Sequence, residues 1–259
     1  MTLLRELVAT DFKLRYQGST LGYLWSLFRP LFLFGILLVV FGFILKIGSN
    51  IPHYPMYLLL GIVLWSFFVE ATNNGLQSIL SRGDLIRKIS FPKYIIVISG
   101  TISALINVGI SLIVVAIFFI FSGIEFRPIA LLFPLLIVEL YVFALAIAFF
   151  LSALYVKYRD ITYIWELIIQ AAFYATPILY PMSFVISKSK PLAKFMLLNP
   201  MAQIVQDSRY VLVSDQTTTL SQLTSRFVVV LIPFMIVIVM VIAAGAYFRK
   251  SSKYFAENV

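Results

Sequence analysis

Twenty consecutive residues, 227–246, carry neither a charge nor a polar side chain, and the run lies between Arg226 and the pair Arg249-Lys250. A helix needs about 20 mostly apolar residues to cross a bilayer. The run is not isolated. Residues 94–124 are uncharged, 54–80 are broken only by Glu70, and 128–156 only by Glu139. A shorter run at 31–45 gains length if Arg29 and Lys46 snorkel at its ends. The stretch 161–186 is also apolar, but Glu166, Gln170, Pro177 and Pro181 interrupt it. Proline removes helix hydrogen bonds, so this segment is expected to be broken or re-entrant. Over the 259 residues, 61% are hydrophobic and 12% charged, with mean hydropathy +1.00. A soluble domain is about 45–50% apolar and about 25% charged. A water-soluble fold has nowhere to bury so much apolar surface.

The expected fold is an all-α membrane protein of one domain, residues 1–259. It has six transmembrane helices at about 31–46, 54–79, 95–122, 128–155, 162–181 and 227–248. Residues 182–226 form an external loop with short helices. Leu3, Leu4, Leu7, Val8 and Phe12 fall near one face of the 1–30 segment, which suggests an amphipathic interface helix despite Asp11 and Arg15. Six spans place both termini on one side. The segments assigned to the cytoplasm hold 13 Lys+Arg in 67 residues, against 7 in 62 outside, which favours cytoplasmic termini. No cleavable signal is expected, because the residues before the first apolar run carry both signs of charge.

Several chemistries are excluded. There is no cysteine, and His53 is the single histidine, so thiolate metal sites and redox pairs have no ligands. No glycine precedes a lysine, which removes the phosphate-cradling G-x-x-x-x-G-K-[ST] loop. Glu70, Glu139 and Glu166 sit on three different apolar runs rather than as a close pair. Catalysis, metal binding and cofactor binding by this chain are therefore not expected. The net charge of +9 reads as loops meeting anionic lipid rather than nucleic acid.

Three patterns carry functional information. Glu70, Asn73, Asn74, Gln77, Ser78 and Ser81 share one helical arc. A carboxylate facing lipid costs several kcal/mol, so the arc faces protein or water, either as the wall of a polar passage or as interhelical hydrogen bonding. Ser103, Asn107 and Ser111 repeat every four residues, a spacing suited to close helix packing. Aromatics crowd two places: Tyr23, Trp25, Phe28, Phe32 and Phe34 near the first span, and Phe173, Tyr174 and Tyr180 around Pro177. Such rings either form an interfacial belt and core packing or stack on sugar C–H faces. The loop 81–93 mixes both signs of charge with Leu85, Ile86 and Ile89. It reads as a short helix, capped by Asp84 and ended by Pro92, that either docks a soluble partner or anchors the chain at the surface.

Together these segments resemble a known family. Arg15-Tyr16-x-x-Ser19-x-Leu21-Gly22-x-x-Trp25-x-x-x-x-Pro30, the loop from Gly83 to Pro92, Tyr158-Arg159-Asp160-Ile161, Tyr174-x-Thr176-Pro177-Ile178-x-Tyr180-Pro181 and Asn199-Pro200 occur in the order found in ABC-2 type polysaccharide export permeases. These are the membrane subunits that export O-antigen, capsule or teichoic acid chains in lipopolysaccharide and envelope biosynthesis. The resemblance implies a homodimer in the bacterial inner (plasma) membrane, with two copies of a soluble ATPase subunit that bind ATP and Mg. It implies a lipid-linked polysaccharide substrate. Gly83, Asp84, Leu85, Ile86, Arg87 and Lys88 would form the ATPase-coupling helix. Tyr23, Trp25, Phe28, Phe32, Glu70, Asn73, Asn74, Phe173, Tyr174 and Tyr180 would line the substrate path, with Pro177 and Pro181 as gate or hinge. Competing readings are an exporter of a drug or small lipid on the same fold, and a membrane-embedded lipid-linked sugar transferase. Turnover of a lipid-linked sugar by the chain without any ATPase would support the last.

Overall fold

A computed structural model describes residues 2–16, 24–48, 51–88 and 91–255. Every regular element among them is helical: α1 (Thr2–Tyr16), α2 (Leu24–Leu37, continuing as a π-helix over Leu38–Ile44), α3 (Tyr54–Ser78), α4 (Gly83–Lys88), α5 (Tyr94–Phe121), α6 (Phe133–Lys157), α7 (Ile161–Ala175), α8 (Met182–Lys188), α9 (Lys190–Leu197), α10 (Pro200–Leu212), α11 (Leu220–Leu223) and α12 (Phe227–Ser251). Among the described residues, five helical stretches are long and apolar enough to cross a membrane: Leu27–Ile44, Tyr54–Ser78, Tyr94–Phe121, Pro128–Lys157 and Phe227–Tyr254. At 1.5 Å per residue, the 25 residues of α3 exceed the roughly 30 Å hydrocarbon core. α7 is apolar but has only 15 residues, and its helix stops at Ala175, two residues before Pro177.

Proline placement explains several of the starts. Pro55, Pro134, Pro191 and Pro200 stand in the first turn of α3, α6, α9 and α10, where a missing N–H costs nothing. Asn199 caps α10, its Oδ1 accepting from Met201 N at 3.0 Å. The basic residues Arg249 and Lys250 end α12, where they complement the helix dipole. The helix holding the first apolar run begins upstream of that run, so Arg29 and Pro30 lie inside α2.

α3 is the central helix. It packs on α5 and α6, and α12 covers the far side of α6. Nearly all of α3 is buried, including Leu58, Leu59, Leu60, Ile62 and Leu64, whereas α5 and α12 turn Ile113, Ile117, Ile120, Ile238 and Ile242 outward. That inversion suits lipid on the outside, where an exposed isoleucine incurs no penalty. Lipid also gives no hydrophobic drive for helix pairing, so close packing must hold the bundle. Gly75 of α3 meets Ala148 of α6 so closely that an added Cβ would overlap the alanine side chain. Gly100 of α5 lies against Asn74, whose Nδ2 donates to the Gly100 carbonyl at 3.2 Å. α1 lies along α5, with Leu4, Leu7 and Val8 half-buried and Arg5 and Glu6 exposed.

Candidate functional site: a groove along the central helix

The polar arc of α3 opens into a groove of about 860 Å³. Glu70, Asn73, Asn74 and Gln77 line one wall, Asn107 and Ser111 of α5 a second, and Trp25 and Arg29 of α2 a third. Leu33, Val63, Phe67 and Ile169 make the remaining surface apolar. Asn107 Nδ2 donates to Glu70 Oε1 at 2.6 Å, holding the carboxylate beside the groove. The two readings of the arc therefore coexist in the same residues: Asn74 and Asn107 bridge helices, and they also line open space. Ser78 and Ser81 turn back instead, donating to the carbonyls of Gly75 at 2.6 Å and Ser78 at 3.0 Å. Ser103 and Ser111 likewise donate to carbonyls four residues earlier in α5, both at 3.1 Å.

The aromatics divide. Trp25 is 51% exposed and faces the groove, with Phe28 edge-on beside it at 6.3 Å between ring centroids. Phe28 is half-buried and Phe32 is 65% exposed, and neither lines the groove. Phe173 packs on Trp65 at 5.7 Å, in a buried cluster with Phe68 and Trp165 behind the groove. Tyr174 points outward, and its carbonyl accepts from the Tyr180 hydroxyl at 2.9 Å. Tyr23 lies outside the described residues.

The break after α7 is held by groups the apolar runs did not reveal. Arg209 of α10 is fully buried. Its Nη1 donates to Pro177 O at 2.6 Å, Nη2 to Ile178 O at 2.8 Å and Nε to Tyr57 O at 3.0 Å, and the Tyr57 ring lies 3.5 Å from its guanidinium carbon. Tyr54 and Tyr57 hydroxyls donate to Leu179 O at 3.1 Å and Tyr180 O at 3.4 Å. Non-helical backbone at membrane depth survives only where its polar groups are satisfied by protein. Here four successive carbonyls, 177–180, have side-chain donors. Pro177 is buried and Pro181 half-buried. In the sequence Arg209 reads as one more cation of a loop, so nothing in local composition marks its partners 31 and 152 positions away.

A carboxyl pair at the same end of the bundle was also not foreseen. Asp207 of α10 accepts from Gln203 Nε2 at 2.5 Å and lies near Glu139 of α6. Burial pushes the Asp207 carboxyl above its usual range, against the opposing effect of the Gln203 donation. Glu139 Oε1 and Gln203 Oε1 are buried without hydrogen-bond partners among the described residues.

At the opposite end of α3, α4 presents Asp84, Arg87 and Lys88 to the outside, keeps Leu85 half-buried and buries Gly83 and Ile86. Ile86 joins a buried apolar cluster with Ile79, Ile96, Val156, Phe248 and Phe255. The C-terminal Phe255 stacks edge-on against Phe248 at 5.4 Å, and Lys93 Nζ donates to Ser252 O at 2.6 Å. Ile89 lies outside the described residues.

The groove and the two ends of α3 belong to a chain with clear relatives. Residues 2–213 match the family described as ABC-2 type transporter. An O-antigen export system permease protein RfbA of Myxococcus xanthus is 27% identical over 257 residues, covering 99% of this chain and 95% of the relative. A protein of the same name from Klebsiella pneumoniae is 25% identical over 256 residues, covering 98% and 94%. Another from Klebsiella pneumoniae is 28% identical over 206 residues, covering 78% and 77%.

Proposed function

The chain belongs to the ABC-2 type transporter family, and on that premise we propose that it is the membrane permease of an ATP-driven exporter of polysaccharide. The observation that carries this reading is the groove: an open, hydroxyl- and amide-compatible surface along the most buried helix of a bundle whose outside is apolar. A polymer that must pass through needs many weak contacts rather than one tight site, because conduction requires entry and release alike. Glu70, Asn73, Asn74 and Gln77 offer exchangeable hydrogen bonds to sugar hydroxyls, and the half-exposed Trp25 offers an aromatic face to C–H groups. Of the other aromatics expected on the path, Phe28 stands edge-on beside Trp25 and Tyr180 is tied to the break, so these two are proposed to extend it, whereas Phe32, Phe173 and Tyr174 stand away from the groove. The substrate enters as a lipid-linked chain, with the lipid held beside the apolar faces of the bundle.

The chain works as a homodimer with two copies of a soluble ATPase that carries ATP and Mg. Nucleotide binding closes the ATPase pair, and α4 passes the motion on. Ile86 shares a buried cluster with Val156 of α6 and Phe248 of α12, so displacing α4 loads the cytoplasmic ends of two spans. The transition requires that ATP favour one state of the complex over the other. The segment around Pro177 and Pro181, tied to α10 through Arg209, acts as the outer gate. Both termini lie in the cytoplasm and the site of action is the bacterial inner membrane.

Filling the groove tests this reading. Asn73 is half-buried and lines the groove. Asn73→Trp is expected to lower glycan export about tenfold or more while the protein still inserts and binds its ATPase, and Asn73→Ser is expected to export near the normal rate. Normal export by the tryptophan variant, measured by surface glycan against membrane protein level, would remove the groove from the path.

A further inference from the structure

A second cavity, of about 200 Å³, lies at the end of α3 away from α4. Small-molecule pockets commonly run about 300–1,000 Å³, so this one has room for a single ring-sized unit. Its walls are of two kinds. Ile51, Pro52, Pro181 and Met182 make an apolar side, and the hydroxyls of Tyr57, Ser183, Ser214, Thr217 and Thr218 with the amides of Gln206 and Gln216 make a polar one. Among the described residues, no Lys, Arg, Asp or Glu lines it. Nearby Arg209 is fully buried, with its guanidinium bonded to the carbonyls of Tyr57, Pro177 and Ile178.

Gln206 points to the kind of ligand. It is 1% exposed, and its Oε1 faces the Tyr57 hydroxyl and Arg209 Nη1, each at 3.5 Å. Arg209 Nη1 can only donate, which fixes the amide orientation and leaves Nε2 as a donor. That Nε2 is buried with no partner among the described residues. Gln206 lines the cavity, and a buried donor left unpaired carries a desolvation cost that an acceptor reaching it would relieve. Among the described residues no cationic side chain lines the cavity to meet an anion, and an acyl chain would strand the hydroxyls of Thr217 and Thr218. A pyranose has apolar C–H faces and a rim of hydroxyls that both donate and accept, matching the two-sided lining.

We propose that this cavity is a subsite for one uncharged sugar unit of the exported chain, placed beside the broken segment at the end of the bundle opposite α4. The inference rests on the polysaccharide reading above and adds where, and in what charge state, a sugar is held. Occupancy there would brace Pro181 and Met182 against α10 and so link the presence of glycan to the position of the gate.

The test uses the purified full-length chain in nanodiscs, with methyl hexosides as neutral probes and glucuronate as the anionic one, read by saturation-transfer NMR. Methyl hexosides should show transfer and glucuronate little. The signal should persist in Asn73→Trp, which fills the larger groove, and disappear when Thr218→Trp, which fills this cavity, is added to Asn73→Trp. Thr217→Val keeps the side-chain shape and removes one hydroxyl, and it should weaken binding about fivefold, as one lost neutral hydrogen bond would. Equal signals in wild type and Thr217→Val, equal transfer to glucuronate, or no transfer in wild type would each overturn the subsite. An export assay on the same preparation with its ATPase separates the two claims. Glycan export without a hexoside signal leaves the permease reading standing and ends the subsite; a hexoside signal in a preparation that exports no glycan does the reverse.

Discussion

Replacement of Arg209 by methionine is expected to destabilise the fold by about 3–5 kcal/mol and to abolish export. Swapping a whole buried ion pair for apolar side chains is often neutral, because both charges leave together. That escape is closed here, since the acceptors are the backbone carbonyls of Tyr57, Pro177 and Ile178, which no substitution removes. Methionine fills much of the volume and leaves the two carbonyls of the break without their donors. Lysine is a poor rescue, because a point ammonium cannot reproduce the planar fork that reaches three carbonyls. Gly61 provides an independent check. A Cβ there would run into Arg209 Nη2, so Gly61→Ala should destabilise the native chain and cost little more once residue 209 is methionine. Denaturant unfolding in mixed micelles, with limited proteolysis around residues 176–181, reads both effects. A methionine variant within about 1 kcal/mol of wild type would show that the clamp does not hold the break.

The other large effect is expected at α4. Changing both Asp84 and Leu85 to lysine should reduce export on the order of 100-fold while the chain inserts and the ATPase still turns over, because like charges facing an interface cost several kcal/mol. Asp84 is exposed and Leu85 half-buried, so neither change opens the core. The contribution of the structure is what stands behind α4. Ile86 shares its buried cluster with Phe255, which is 1% exposed. Phe255→Ala should therefore mimic the lysine variants in part, raising ATP hydrolysed per glycan exported, with Phe255→Leu restoring most of the coupling. Normal export by the double-lysine variant would show that α4 is not where the ATPase acts.

Long uncharged runs made the membrane class plain, because no soluble core accommodates residues 94–124 or 227–246. The polar arc of α3 was legible for the same reason: Glu70 cannot face lipid, so it had to face something polar. Pro177 and Pro181 marked the break, because proline removes backbone donors whatever surrounds it. What satisfies the break was not legible. Arg209 and Tyr57 are 152 positions apart, and a lone arginine in a polar-looking loop has no signature of burial. The aromatic clusters were found as clusters only. Trp25 faces the groove while Phe32 and Tyr174 point outward, and a single sequence does not distinguish a ring meeting lipid from one meeting sugar. The start of α2 was obscured by Arg29 and Pro30, which read as the end of a cytoplasmic arm and prove to lie inside the helix.

The most direct measurement reconstitutes the chain in vesicles with its soluble ATPase and follows a lipid-linked glycan from one face of the membrane to the other. Movement is expected to need both polypeptides and ATP, and to stop when Asn73 becomes tryptophan. Glycan crossing at the same rate with no ATPase or no nucleotide present would contradict that expectation.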